Sequence, residues 1–261
     1  MADQNKGMSD LWRRLRFVFM AIVVYRLGTH IPIPGIDPAR LAALFDQNQG
    51  TILEMFNLFS GGALERMSIF ALNVVPYISA AIIMQLFSNS IPYLQELKKD
   101  GQAGRNQITQ YTRYGTVVLA FVQASALAVT LGASGLAYEP GASFFISAVF
   151  SVVAGTIFLM WLGEQISERG IGNGISIIIA TSILTGIPGA IGQALEQARQ
   201  GDLNILLLLG IGVLAMLVIA IVVFIERGQR RITVNYAQRQ QGRKLMQAQA
   251  SHLPLKLIWL G

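Results

Sequence analysis

The sequence predicts an all-α protein that crosses a membrane several times. Hydrophobic residues make up 53% of its 261 positions and charged residues only 13%, whereas soluble domains carry about 25% charged residues. The mean hydropathy is +0.51, and several apolar runs reach the roughly 20 residues that a helix needs to cross the hydrocarbon core. A soluble core does not require apolar runs of this length, so the chain belongs among polytopic membrane proteins.

Six apolar runs, separated by Gly, Pro and charged residues, define the predicted spans. Their approximate limits are 17–34, 73–91, 114–133, 143–163, 174–191 and 204–225. The first run follows the basic stretch RRLRF and therefore imitates a signal peptide. It is long, however, contains Arg26, and ends in Pro-Ile-Pro without a small-residue cleavage site. We therefore predict that it is retained as the first span.

The basic residues are distributed unequally between the two sets of connectors. Sixteen of the 20 Lys and Arg residues lie in the N-terminal tail, in the connectors after spans two and four, or in the tail after span six. The opposite connectors hold only Arg40 and Arg199. Because positive charge is retained on the cytoplasmic side, this asymmetry predicts a cytoplasmic N-terminus and a cytoplasmic basic tail.

Several kinds of chemistry are disfavoured by the residue inventory. The chain has no cysteine, and its two histidines, His30 and His252, lie far apart. Disulfides and thiolate chemistry are therefore excluded, and neither a zinc site nor any other cofactor is expected. Arg26 lies inside the first span, where a charge marks a function, reaches towards the interface, or forms a structural ion pair.

The stretch FSGGALERMSIFAL, residues 59–72, comes before the second span and is unusual for a membrane segment. It contains the pair Gly61-Gly62 and the adjacent charges Glu65 and Arg66, and Pro76 follows early in the span. Irregular backbone at membrane depth is tolerated only where protein or a water-filled cavity surrounds it. One interpretation is a short re-entrant helix that enters a cavity from the outside. The other is an ordinary kinked helix with a frayed outer end.

Two long motifs resemble signatures of the SecY family, the central channel subunit of the bacterial Sec protein translocase. They are FALNVVPYISAAIIMQLF at 70–87 and WLGEQISERGIGNGISIII at 161–179, and FIERGQRRITVNYAQRQQGRKL also resembles the family. The similarity runs from about Leu11 to Lys256. Family members usually carry Gly where Asn73 stands, and Asn is among the non-Gly residues that tolerate positive φ. Members have ten spans, so the chain is expected to be a truncated copy that stops before the seventh.

The resemblance implies a division of the chain into four regions. Residues 1–16 are a cytoplasmic tail, and 17–191 form the first five-span half with its plug at about 60–70. Residues 192–225 form an outer connector and span six, and 226–261 form a basic cytoplasmic loop.

The resemblance also implies roles for residues near span two. In the family, the segment before this span is a plug that closes the outer funnel of an hourglass pore. The matching plug residues are Ser60, Gly61, Gly62, Ala63, Leu64, Glu65, Arg66, Met67, Ser68, Ile69 and Phe70. The pore constriction of the family is a ring of aliphatic side chains, and the matching positions are Val74, Ile78, Ile175 and Ile179. Each pair is spaced i, i+4 and so lies on one helix face; ordinary packing is the alternative reading.

Two further sites are implied by position in the family. Ser79 in span two and Gln123 in span three match the lateral gate, although hydrogen bonding between helices explains such residues equally well. The alternation of Ile232, Val234 and Tyr236 with polar residues predicts a strand, and RQQGRK predicts a turn. In the family this loop contacts the ribosome and the SecA motor, through residues that match Arg230, Arg231, Arg239, Arg243 and Lys244; a basic anchor without a partner is the alternative.

The function that the resemblance implies is the central subunit of a channel for secretory and membrane proteins in the bacterial inner membrane. It is not an enzyme and carries no cofactor. Its expected partners are SecE, SecG, SecA, the ribosome through its RNA and exit-site proteins, signal-bearing polypeptides and membrane lipids. A secondary transporter would need charges that face one another across spans, and only Arg26 lies inside a span. An intramembrane enzyme would need a Ser–His pair or a carboxylate set, and the spans contain neither.

Overall fold

The computed structural model describes residues 2–47, 57, 60–139, 141–200, 205–234, 240–241, 244–245 and 251–256. The chain divides into two compact units, Met1–Ala190 and Ile191–Gly261. Most described residues are helical. The helices are α1 (Ala2–Gly28), α2 (Pro38–Gln47), α3 (Val75–Ser90), α4 (Pro92–Lys99), α5 (Gln102–Ala133), α6 (Ala142–Arg169), α7 (Gly174–Gln200) and α8 (Ile205–Glu226).

Helices α5 to α8 contain segments that are long and apolar enough to cross a membrane. Among the described residues these segments are Gln102–Ala133, Ala142–Arg169, Gly174–Glu196 and Leu209–Glu226. They coincide with predicted spans three to six, so the prediction of a polytopic helical membrane protein is confirmed.

The first two predicted spans also coincide with helices, but these are less suited to cross alone. Helix α1 carries several arginines, and α3 has only 16 residues, or about 24 Å at 1.5 Å per residue. The hydrocarbon core is about 30 Å thick. Helix α3 starts late because Asn73 adopts a φ of 49°, which is outside the helical region. Crossing by these two segments therefore stays a prediction.

Small side chains bring the helices of the first unit close together. Helix α5 packs against α3 and α6, and α1 also packs against α6. On α5 the buried residues Ala120, Ala124 and Ala128 recur every four positions, which places them on one face. They belong to a core cluster that also contains Val149 and Val152 of α6. Small residues at such interfaces let helix backbones approach closely.

Connectors predicted for the same side of the membrane contact one another. The amide of Asp37, after α1, donates to the carbonyl of Leu136, after α5, over 2.9 Å. At the other end of these helices, the Nε of Arg113 on α5 lies 2.7 Å from the carboxylate of Glu164 on α6. Within the first unit, connectors that the charges predict for the same side of the membrane therefore lie next to each other. Which side faces the cytoplasm stays a prediction.

The second unit contains the apolar helix α8 and short strands. Strand β1 (Gln229–Val234) pairs antiparallel with β4 (Ser251–Lys256), and β2 (Gln240–Gln241) pairs with β3 (Lys244–Leu245). The predicted strand is therefore confirmed up to Val234, whereas Tyr236 lies outside the described residues. These short β-pairs lie in the basic loop, where a strand was predicted, and the fold class remains helical. Strand β4 was not predicted because its Pro254 disfavours strands, although an edge position tolerates proline.

Candidate functional site

The predicted plug is built from successive turns and is not a helix. The residues from Gly61 to Val74 adopt turns, interrupted by an isolated bridge at Ser68. Positive φ angles at Gly61, Gly62 and Met67 break the helical path. The hydrogen bonds have mixed spans, from three residues between the amide of Met67 and the carbonyl of Leu64 (3.0 Å) to five residues between the amide of Ser68 and the carbonyl of Ala63 (2.9 Å). The expectation of a short helix is wrong for this segment, because repeated left-handed residues prevent α-helical hydrogen bonding.

The backbone of this segment is hydrogen bonded to the connector after α1. The amide of Ile33 donates to the carbonyl of Met67 over 2.8 Å, and the amide of Ile69 donates to the carbonyl of Ile31 over 3.0 Å. Ser68 therefore forms an antiparallel bridge with Pro32, and it is fully buried. The predicted plug is thus held at its middle by main-chain bonds.

Phe70 occupies a slot between α1 and α6. Its ring stacks on Tyr25 with centroids 6.0 Å apart and on Phe158 with centroids 5.9 Å apart. A Cβ atom on Gly28 would overlap the ring of Phe70, and one on Gly155 would overlap the carbonyl oxygen of Ile69. The two glycines therefore make room for the predicted plug in a way that no other residue type could.

The four predicted ring residues meet in one apolar cluster. Val74 is buried within it, and Ile78, Ile175 and Ile179 pack against it. The same cluster contains two residues of the predicted plug, Ala63 and Phe70, together with buried side chains of α1, α6 and α7. The structure therefore brings together residues that lie about 100 positions apart in the sequence.

A buried polar group lies beside this cluster. The Oγ of Ser182 on α7 lies 2.5 Å from the hydroxyl of Tyr25 and 3.2 Å from Nδ2 of Asn73. It also donates to the carbonyl of Ile178 over 2.9 Å. Leaving one such buried polar group unsatisfied costs about 1–3 kcal/mol. The group therefore links α1, α7 and the start of α3. Disrupting it would cost free energy of this order.

The charged residues near the predicted plug all have partners. Arg26 donates from a terminal guanidinium nitrogen to the carbonyl of Gly61 over 2.9 Å. Arg66 donates to Nε2 of His30 over 2.7 Å, and the carboxylate of Glu65 accepts from Nδ2 of Asn57 over 2.9 Å. Glu65 and Arg66, the charges that made this stretch unusual in the sequence, therefore each have a hydrogen-bond partner.

The two predicted gate residues are not joined by a hydrogen bond. Ser79 and Gln123 are both half-buried, on α3 and α5, which pack together. Across the part of the chain that the structure describes, neither side chain has a hydrogen-bond partner. Both the gate role and the alternative of interhelical hydrogen bonding stay predictions.

Cavities lie at both ends of α1 in the first unit. An apolar cavity of about 610 Å³ lies beside Phe70, lined by Val24, Leu27, Gly28, Ile31, Ile69, Phe70, Ser151, Ala154, Gly155 and Phe158. A second, of about 390 Å³, lies at the other end of α1, lined by Arg13, Arg14, Phe17, Glu168 and Arg169. Nearby, hydrogen bonding from Arg14 holds the pKa of Asp10 below its ordinary value. Among the described residues no cluster of three metal-ligating side chains occurs.

The predicted ribosome and SecA contacts fall in the second unit. Arg230 and Arg231 belong to β1 and Lys244 to β3, whereas Arg239 and Arg243 lie outside the described residues. The site residues missed by sequence reasoning are Tyr25 and Ser182. Ser182 follows Ile175 and Ile179 by seven and three positions, so helical spacing from the predicted ring could have indicated it.

Helices of membrane-spanning length, an irregular segment packed between them and an aliphatic cluster around it define a membrane-embedded helical protein with a re-entrant element. The SecY family model matches residues 68–261, and the chain belongs to the SecY family. It is 63% identical over 260 residues to the protein translocase subunit SecY of Pseudomonas aeruginosa. The match covers 100% of this chain and 59% of that relative, so the chain spans about three fifths of the relative's length.

Solved structures share the fold. A protein conducting channel matches with a TM-score of 0.64 and 21% identity, over 94% of this chain and 53% of that one. A SecY protein whose plug domain stabilises the closed state of its translocation channel and maintains a membrane seal matches with a TM-score of 0.62 and 22% identity. That match covers 94% of this chain and 52% of the solved one.

Proposed function

We propose that the chain forms the N-terminal part of a protein-conducting channel. The channel moves secretory polypeptides across the bacterial inner membrane and inserts membrane proteins into it. One observation carries the proposal: the four predicted ring residues share an apolar cluster with Ala63 and Phe70 of the predicted plug. A plug that packs directly on the constriction seals the pathway, and a polypeptide passes only when the plug leaves.

The chemistry of the cluster suits reversible closure. Aliphatic side chains exclude water and ions from a narrow constriction by dewetting. The plug adds dispersion contacts and a few hydrogen bonds, and all of these re-form when the polypeptide has passed. The proposed activity is therefore transport and involves no covalent step.

The remaining roles follow from the same proposal. Ser79 and Gln123 line the lateral gate through which signal sequences reach lipid. The N-terminus and the basic loop face the cytoplasm, where Arg230, Arg231, Arg239, Arg243 and Lys244 contact SecA and ribosomal RNA. SecE and SecG are the proposed membrane partners.

Reconstituted vesicles test the proposal. They contain the chain, SecE, SecG and a segment that supplies the family's remaining spans, with SecA and ATP outside. A secretory precursor should become protease-protected in these vesicles, but not in vesicles that lack this chain. Replacing Ile78 and Ile179 together by Asp should let ions leak while the precursor still passes. Precursor protection that does not require this chain would overturn the proposal, as would an unchanged ion leak in the double variant.

A further inference from the structure

We propose that Ser182, Asn73 and Tyr25 form a latch that sets how readily the plug leaves its closed position. The inference rests on the proposed function, because it assigns the residues that hold the plug. Its observable consequence is a change in the lifetime of the docked plug, which is measurable without any translocation.

The hydrogen bonds of the latch saturate the hydroxyl of Ser182. Its proton goes to the carbonyl of Ile178 over 2.9 Å. Its oxygen is then free to accept from the hydroxyl of Tyr25 over 2.5 Å and from Nδ2 of Asn73 over 3.2 Å. A hydroxyl offers one donor and two acceptor sites, so this arrangement uses all of them.

All three latch side chains are withdrawn from solvent. Ser182 is fully buried, Tyr25 is 1% exposed and Asn73 is 4% exposed. Water therefore does not replace a latch bond that breaks while the plug stays in place. The bond from Asn73 instead opens together with movement of the chain between the plug and α3. The latch therefore resists displacement of the plug through this bond.

The latch lies next to both ends of the plug segment. Asn73 stands at the last turn before α3, and Ser60 stands at the first residue of the segment. The hydroxyl of Tyr25 also lies 3.4 Å from the carbonyl oxygen of Ser60, although its proton is donated to Ser182. Next to it, the backbone of Gly61 approaches Ser182 so closely that a Cβ at Gly61 would lie 3.1 Å from the Cα of Ser182. Displacing the plug therefore moves Gly61 away from Ser182 and strains the Asn73 bond to the same serine, three residues beyond the plug.

Asn73 gives the latch a property that glycine at this position would lack. Its φ of 49° is left-handed, a conformation that both Gly and Asn adopt. Only Asn supplies an amide that reaches Ser182. The exchange Asn73→Gly thus keeps the bend and removes the amide that bonds Ser182.

A single thiol reports the docked plug. The chain has no cysteine, and Ala63 in the plug is fully buried, so Ala63→Cys introduces a thiol that a water-soluble maleimide reaches only after undocking. In vesicles with this full chain, Asn73→Gly should raise the alkylation rate about threefold to tenfold, which corresponds to a net hydrogen bond. Ser182→Ala should raise it by about tenfold or more, because it leaves two buried groups without their acceptor.

Controls separate the latch from general loss of structure. Ser182→Thr keeps the hydroxyl and should restore slow alkylation. Ser125→Ala removes a serine on α5 that bonds only its own helix, to the carbonyl of Phe121, and should leave the rate unchanged. If Ser182→Ala does not accumulate, the alkylation rates of Tyr25→Phe and Asn73→Gly still test the latch.

The outcomes distinguish the latch from the proposed function. Alkylation as slow in Asn73→Gly and Tyr25→Phe as in the parent would overturn the latch. An equal acceleration in Ser125→Ala would also overturn it, since the effect would then be non-specific. Faster alkylation in the latch variants without any precursor passage in the reconstituted parent would support the latch and contradict the proposed channel.

Discussion

The guanidinium of Arg26 donates a hydrogen bond to the carbonyl oxygen of Gly61 over 2.9 Å. The charge inside the first predicted span is therefore attached to the backbone of the predicted plug. It forms no ion pair in the described part of the chain. Bonds to charged groups contribute about 1.5–3 kcal/mol, so we expect Arg26 to stabilise the docked plug.

Replacing Arg26 by Gln should loosen the plug. The shorter neutral side chain does not reach Gly61, and the carbonyl loses its charged donor. We expect alkylation of the Ala63→Cys thiol to rise by about tenfold or more, because losing about 1.5–3 kcal/mol exceeds the roughly 1.4 kcal/mol that a tenfold change requires. Arg40→Gln is the matched control, because Arg40 makes the same type of bond, of 2.8 Å to the carbonyl of Gly135, away from the plug. Equal rates in the two variants would contradict the role of Arg26.

The slot for Phe70 should tolerate no side chain at Gly155. The substitution Gly155→Ala forces a methyl group against the carbonyl of Ile69, and such overpacking costs about 1–3 kcal/mol. The thermal midpoint of the purified protein should fall by several degrees. Gly132→Ala is the control, because nothing lies within 4 Å of a Cβ there; a similar fall in that variant would show that the slot is not the cause.

The predicted orientation is open to thiol labelling from one side of the membrane. Tyr138, in the connector after α5, is 66% exposed, and Gln102 at the start of that helix is also exposed. An impermeant maleimide added outside intact cells should label Tyr138→Cys but not Gln102→Cys. Labelling in the reverse pattern would place the N-terminus outside. The neighbouring Ala137 is unsuitable as a probe, because it is buried against Ile36.

Much of the fold follows from short-range sequence signals. Apolar runs of bilayer length predicted the helices of spans three to six, because span length depends on composition alone. The unequal distribution of basic residues predicts that the connectors after the first and third spans lie on the same side, and the bond between Asp37 and Leu136 agrees with that. The resemblance to the family led us to expect that Val74, Ile78, Ile175 and Ile179 lie together, as they do in one apolar cluster. Their role as a pore ring stays a prediction.

The details that sequence reasoning missed depend on long-range contacts. Residues 60–70 carry good helix formers such as Ala63 and Leu64, yet they form turns. The bridge to Pro32 and the slot for Phe70 hold the backbone of this segment in a non-helical conformation. Ser182 looks like any serine in an apolar helix, and only the fold brings Tyr25 and Asn73 to it. Local propensity is a weak predictor where tertiary contacts of this kind decide.

The basic loop should supply affinity for the ribosome. Replacing Arg239, Arg243 and Lys244 by Glu should strongly reduce co-sedimentation with ribosomes, and added salt should weaken parental binding because phosphate contacts release counterions. The control replaces Lys98, Lys99 and Arg105, which carry the same charge in another connector predicted for the cytoplasm. Equal losses in both variants would indicate attraction by total charge, and unchanged binding in the first would exclude the loop as the contact.

The central claim is that the cluster around Val74 lines the pathway. Photo-crosslinking to a polypeptide in transit tests this claim most directly. A photoreactive residue replaces Ile78 or Ile179 in the reconstituted vesicles, and a secretory precursor is arrested midway by a folded domain at its end. The control position is Phe150 on α6, which is 65% exposed and outside the cluster. We predict adducts with the arrested precursor from Ile78 and Ile179 and none from Phe150. Adducts from Phe150 without any from Ile78 or Ile179 would contradict the account.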